Sequence, residues 1–170
     1  MILRFSVMPP LALTVGDYPG GLSGGGKLAR QIGKYWKSSE FECSCGCGKD
    51  EIHPAIIDLA DKVRGHLGVP MQCNSGVRCA DRNKAVGGRP NSMHLPKGIL
   101  RQGHAADLTF SAPALRDRIN LLRLYVLLES HGRKHGNLGL GLYDSFIHVD
   151  VRGQLGLNSG RWNEFEWPRL

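Results

Sequence analysis

The chain has 170 residues, 41% of them hydrophobic and 22% charged, which fits one globular domain with its own core and excludes a disordered or fibrous chain. Its net charge of +7 and isoelectric point near 9.4 favour anionic partners, either nucleic acid or an anionic cell-wall polymer. The basic residues are spread along the chain, which argues against a dedicated nucleic-acid groove, and no apolar run approaches the ~20 residues of a membrane span.

The first stretch, "MILRFSVMPPLALTVGDYPGG", has an early Arg and an apolar run in the manner of a signal peptide. Pro9 and Pro10 break that run, and no A-x-A site follows. Residues 1–36 read as a Gly-rich extension, flexible or docked on something else, with a short helix over 27–36; the main domain is expected over 37–170. "HPAIIDLADKVRGHLGVP" reads as a helix with Pro54 in its first turn, apolar residues at helical spacing, and Gly68 and Pro70 beyond its end. "MQCNSGV" predicts a strand entering a turn, and "RCADRNKAVGG" a helical turn stopped by Gly87 and Gly88. "GHAADLTF" alternates like a half-buried strand. The longest helix is expected after it, with Ser111 as its cap. "LGLGLYD" and "SFIHVDVRG" read as two strands joined tightly near Asp144. Strands and helices mix without a βαβ repeat, which predicts an α+β fold with a small antiparallel sheet flanked by helices.

Five cysteines, Cys43, Cys45, Cys47, Cys73 and Cys79, are an odd number for a complete disulfide framework. The C-x-C-x-C run departs from the usual zinc-knuckle spacing, and Gly46 and Gly48 mark it as a turn. Packed or partly oxidised thiols and a structural metal are both open readings. A third follows from them: a basic, zinc-ribbon-like nucleic-acid binder.

The polar residues of the last strands carry more chemistry. Side chains alternate along a strand, so Phe146, His148 and Asp150 share one face, and Tyr143, Ser145, Ile147 and Val149 take the other. Asp107 lies among small apolar residues, and a buried carboxylate needs a partner or a metal. A bend between His94 and Asp107 would bring both to one point. His94, Asp107 and His148 make a two-His, one-carboxylate set, which leaves a fourth position open in the manner of a catalytic zinc site. No H-E-x-x-H motif is present.

"SEFECSCGCG", "SGVRCADRNKAVGG", "NSMH…GHAADL" and "FIHVDVRG", taken in order, resemble the zinc D-Ala-D-Ala carboxypeptidases of peptidase family M15, most nearly its small phage and bacterial branch, over roughly residues 38–153. The resemblance implies the Hedgehog/DD-peptidase fold, a Zn2+ cofactor and hydrolysis of peptidoglycan peptide bonds. It implies His94, Asp107 and His148 as the metal ligands, Ser92 as a substrate contact, and Arg78 as a residue that binds substrate and steadies charge near the scissile carbonyl. Either a D,D-carboxypeptidase or a stem or cross-link endopeptidase would use these residues. The setting implied is a phage virion component, a released endolysin or a bacterial cell-wall enzyme.

Two departures stand out. The family pattern S-x-H-x-x-G-x-A-x-D places its His and Asp seven positions apart, whereas His94 and Asp107 are thirteen apart. "LPKGILRQG" is then an enlarged tip, which a loop tolerates at little cost. His104 is the rival ligand, three positions before Asp107 and on the opposite face of a regular strand. The general base is also displaced. Ser145 stands where many members carry an acid, which leaves Asp150 and Asp144 as the catalytic carboxylates. The same gap motivates the alternative of a non-catalytic, zinc-stabilised module that binds cell wall or builds a virion.

Overall fold

The computed structural model describes residues 28–164, so the signal-like stretch and most of the predicted extension lie outside the described residues. In chain order the elements are α1 (Pro54–Leu67), β1 (Met71–Ser75), α2 (Ala80–Ala85), β2 (Ala105–Phe110), α3 (Arg118–Gly132), β3 (Gly139–Leu142), β4 (Ile147–Asp150) and β5 (Gly160–Asn163), with short 3-10 turns between them. The fold is α+β, as expected. The sheet runs β1-β2-β4-β3-β5. Its first four strands pair antiparallel. β5 adds to the far edge of β3 in the parallel sense, so the sheet is mixed.

The sequence dictates the helix ends. His53 Nδ1 accepts the Ala55 N–H at 3.2 Å, Pro54 opens the first turn of α1, and Gly68 closes it at φ 67°, a left-handed conformation open to glycine. For α3 the cap differs from expectation. Asp117, not Ser111, accepts the Asn120 N–H at 2.9 Å, because Pro113–Leu115 first forms a 3-10 turn.

One face of the sheet is core. Ala106, Leu108 and Phe110 of β2, Leu140 and Leu142 of β3, and Ile147 and Val149 of β4 are buried with Leu121, Leu124 and Leu128 of α3 and the apolar stripe of α1. Each fully buried Leu or Ile contributes about 1.5–3 kcal/mol relative to exposure.

The helix expected over 27–36 does not form among the described residues. Asp61 of α1 accepts the N–H groups of Lys34 and Tyr35 at 2.6 and 2.9 Å, and a side chain at Gly33 would collide with Asp61 and Ile57. The segment is therefore pinned as a loop, and Trp36 is fully buried in the core.

Candidate metal centre and its cleft

The other face of the sheet is polar at its centre. The register sets Asp107 of β2 directly opposite His148 of β4, and Ala105 opposite Asp150. Alternation then puts both acids and the histidine on the face away from the core. His94 arrives from the loop between α2 and β2. It is held by its own carbonyl, which accepts the Arg78 N–H at 2.9 Å, while its neighbour Met93 accepts the His104 N–H at 2.8 Å.

Three atoms form a close triangle. His148 Nδ1 lies 2.9 Å from Asp107 Oδ1 and 3.2 Å from His94 Nε2, and His94 Nε2 lies 3.3 Å from Asp107 Oδ1. Ligands at ~2.0–2.1 Å around a tetrahedral zinc ion stand about 3.3 Å apart, so this triangle fits one face of such a site. All three residues are at least nine-tenths buried.

The remaining ring nitrogens are oriented from behind. His94 Nδ1 lies 2.7 Å from the Gly76 carbonyl, which can only accept, so Nδ1 carries the proton and Nε2 is presented to the centre. His148 Nε2 lies 3.2 Å from Asp150 Oδ2, a partner to which it can donate when Nδ1 is turned over to a metal. Asp150 is fully buried and saturated. Its oxygens accept from Arg152 Nε at 2.8 Å and Nη2 at 2.7 Å, and from the backbone of Gly139 and Arg152 at 3.2 and 3.1 Å.

The ion-free electrostatics follow from these contacts. Burial disfavours the imidazolium of His148, yet its hydrogen bonds to Asp107 and Asp150 outweigh that and lift its pKa to about 9. Burial likewise opposes charge on Asp107, but His94 and His148 hold its carboxyl well below the usual range. For Asp150, Arg152 and then His148 overcome burial in the same direction.

Arg78 reaches across from the end of β1. A β-bulge between Cys73 and Ser75 sets Ser75 against Asp107. Ser75 Oγ accepts the Arg78 Nε–H at 2.8 Å, and Arg78 Nη2 donates to Asp107 Oδ2 at 2.7 Å. Ser92 Oγ accepts the His94 N–H at 3.3 Å. Arg78, Ser92, His94, Asp107, His148 and Asp150 all line one cleft of about 690 Å³.

Other residues fall elsewhere. His104 is buried with its ring 4.8 Å from His53 and its Nδ1 2.8 Å from the Gln102 carbonyl, outside the triangle. Asp144 is exposed in the turn between β3 and β4 and is not among the residues lining the cleft. Tyr143, expected opposite His148, lines the same cleft. β4 starts only at Ile147, and the turn stacks Tyr143 on Phe146 with ring centroids 4.4 Å apart.

Two cleft residues come from β5 and its end and have no counterpart in the sequence expectations. Trp162 lies against His148, with centroids 5.2 Å apart, and donates from Nε1 to the Tyr143 hydroxyl at 3.0 Å. Glu164 follows it on the cleft wall. Gly139 and Gly141 of β3 make this possible. A Cβ at Gly139 would strike the Asp150 carboxylate and the Arg152 guanidinium, and one at Gly141 would strike the Trp162 indole.

The fold and site define an α+β domain with a candidate metal centre on the wall of an open cleft. A family model described as Peptidase M15 matches residues 34–150, and the chain belongs to that family, whose peptidases are zinc-dependent. No curated protein and no solved structure matches the chain.

Proposed function

We propose that this chain is a zinc-dependent peptidase that hydrolyses peptide bonds of peptidoglycan, with His94, Asp107 and His148 as the metal ligands. The observation that carries this reading is the 2.9–3.3 Å triangle of His94 Nε2, Asp107 Oδ1 and His148 Nδ1, buried yet on the wall of the cleft. Bound there, zinc supplies Lewis acidity and lowers the pKa of water toward ~7.

The chain's own residues do the rest. The Gly76 carbonyl and Asp150 fix the tautomers of His94 and His148. Arg152 keeps Asp150 ionised and so makes it a positioning residue. Arg78 is anchored by Ser75 and Asp107 on the cleft wall, and its permanently charged fork would steady the negative charge that a scissile carbonyl gains. Ser92 and Arg89 on the same wall suit a peptide that ends in or carries a carboxylate.

For the proton acceptor, the cleft wall offers three carboxylates among the described residues: Asp107, Asp150 and Glu164. Asp107 belongs to the ligand set and Asp150 is held by Arg152. Glu164 therefore takes this role in the proposal, ahead of Asp150 and Asp144. The proposed catalytic domain is 37–170, and Trp36 anchors the described 28–35 segment to it.

The experiment is digestion of purified peptidoglycan by the zinc-loaded chain, with mass analysis of the fragments and a chelator control. Loss of a terminal D-alanine identifies a carboxypeptidase, and release of stem or cross-link fragments an endopeptidase. Undigested peptidoglycan and uncut D-Ala-D-Ala peptides would sink the proposal in favour of a binding module. Comparing Glu164→Gln, Asp150→Asn and Asp144→Asn assigns the base: Glu164→Gln alone should abolish turnover while leaving the bound zinc in place.

A further inference from the structure

Four of the five cysteines meet away from the cleft wall. Cys43, Cys45 and Cys47 lie on one loop, Cys79 immediately precedes α2, and their Sγ atoms all fall within 4.8 Å of one another. Cys43 and Cys45 are 3.3 Å apart at sulfur, and Cys45 and Cys79 3.5 Å. All four are free thiols. A disulfide would bring two sulfurs to ~2.05 Å. Four sulfurs at ~2.3 Å around a tetrahedral ion stand about 3.8 Å apart, which is the kind of spacing observed.

The loop is shaped to make this approach. In an extended strand Cys43 and Cys47 would be ~13 Å apart. Instead Gly46 and Gly48 adopt φ 76° and 72°, the Gly46 N–H donates to the Cys43 carbonyl at 3.1 Å, and the Cys43 N–H donates to the Lys49 carbonyl at 2.8 Å. Two sulfurs already receive backbone donors: the Cys79 N–H reaches Cys43 Sγ at 3.3 Å, and the Arg82 N–H reaches Cys79 Sγ at 3.3 Å. Such N–H···S contacts hold thiolate ligands in place.

We propose that Cys43, Cys45, Cys47 and Cys79 form a structural zinc site that clamps the 41–49 loop onto the segment carrying Arg78. Four thiolates select a soft tetrahedral ion, and four protein ligands leave no open position, which is the mark of a structural site. The clamp acts on the cleft through the backbone. Cys79 adjoins Arg78, the Val77 N–H donates to the Phe41 carbonyl at 2.8 Å, Gly76 packs too closely on Phe41 to accept a side chain, and the Gly76 carbonyl holds His94. Cys73, on β1, is outside the set.

The test is zinc content by elemental analysis of the full chain, purified under reductant without oxygen, together with cobalt substitution. Two zinc ions per chain are expected in the parent and in Cys73→Ser, and one in Cys43→Ser, Cys79→Ser and His148→Ala. Cobalt-loaded His148→Ala should show an intense near-ultraviolet thiolate-to-cobalt charge-transfer band, a readout that needs no cysteine variant to fold. The proposal is overturned by a missing band, by two disulfides in the intact mass, by iron in place of zinc, or by a single zinc that disappears in His148→Ala. Two zinc ions retained in His148→Ala would count against the cleft site and leave the cysteine site standing.

Discussion

The two candidate metal clusters differ in what holds them. Asp107 and His148 sit opposite each other on paired strands, with Gly76 and Asp150 fixing the rings behind them. The sheet presents that triangle as part of a buried polar network. Three of the four cysteines share a short loop, and Cys45 and Cys47 are exposed. That loop is closed by a few backbone hydrogen bonds and two left-handed glycines. An ion bound in each place would contribute differently: on the strands it would find a prepared seat and supply chemistry, and on the loop it would supply much of the structure.

The largest expected effect separates these roles. His148→Ala, or removal of zinc from the cleft, should lower peptidoglycan hydrolysis by roughly 10³-fold or more, since Lewis-acid assistance is worth several kcal/mol. Its thermal midpoint should change little beside that of Cys43→Ser. Equal losses of midpoint in the two variants would break the comparison.

Asp150→Asn comes next. It keeps the shape behind His148 but removes the charge that orients it and pairs with Arg152. Zinc affinity of the cleft should fall by about 10–100-fold in a competitive chelator titration, with the thiolate-to-cobalt band unchanged. Gly139→Ala is a packing test on the same wall. It should cost about 1–3 kcal/mol in denaturant unfolding, because the added methyl meets Asp150 and Arg152. The smallest effect is expected at the enlarged tip, where Ile99 is 99% and Leu100 74% exposed. Ile99→Ser with Leu100→Ser should stay within about ±0.5 kcal/mol in unfolding. A slower digestion of whole peptidoglycan, with unchanged cleavage of a short peptide, would assign the tip to the polymer.

Much of this arrangement was legible in the residues. The helix over Pro54–Leu67 declared itself by spacing, Pro54 and Gly68, and the alternation around Asp107 and His148 put both on one face of their strands. What was hidden depends on distant partners. The 28–36 segment is shaped by Asp61 of α1, which no local pattern reveals. β5 is four residues long and pairs parallel with β3, so Trp162 and Glu164 gave no signal of their own beside the cleft. Cys79 joins Cys43, Cys45 and Cys47 through the docking of Gly76 and Val77 on Phe41, a contact between segments far apart in the chain. The odd cysteine count was informative in hindsight, because the fifth, Cys73, lies on β1 outside the set.

The direct pairing of Asp107 with His148 also has a consequence in time. Protein chains emerge amino-terminus first, and the cysteine set is complete once Cys79 has been made, well before β4 exists. With the proposed zinc site, a nascent chain would be able to close its thiolate clamp while the cleft still lacks its last histidine. Hydrolytic competence would be the final property acquired, only after β4 has zipped onto β2 and β5 has closed the edge.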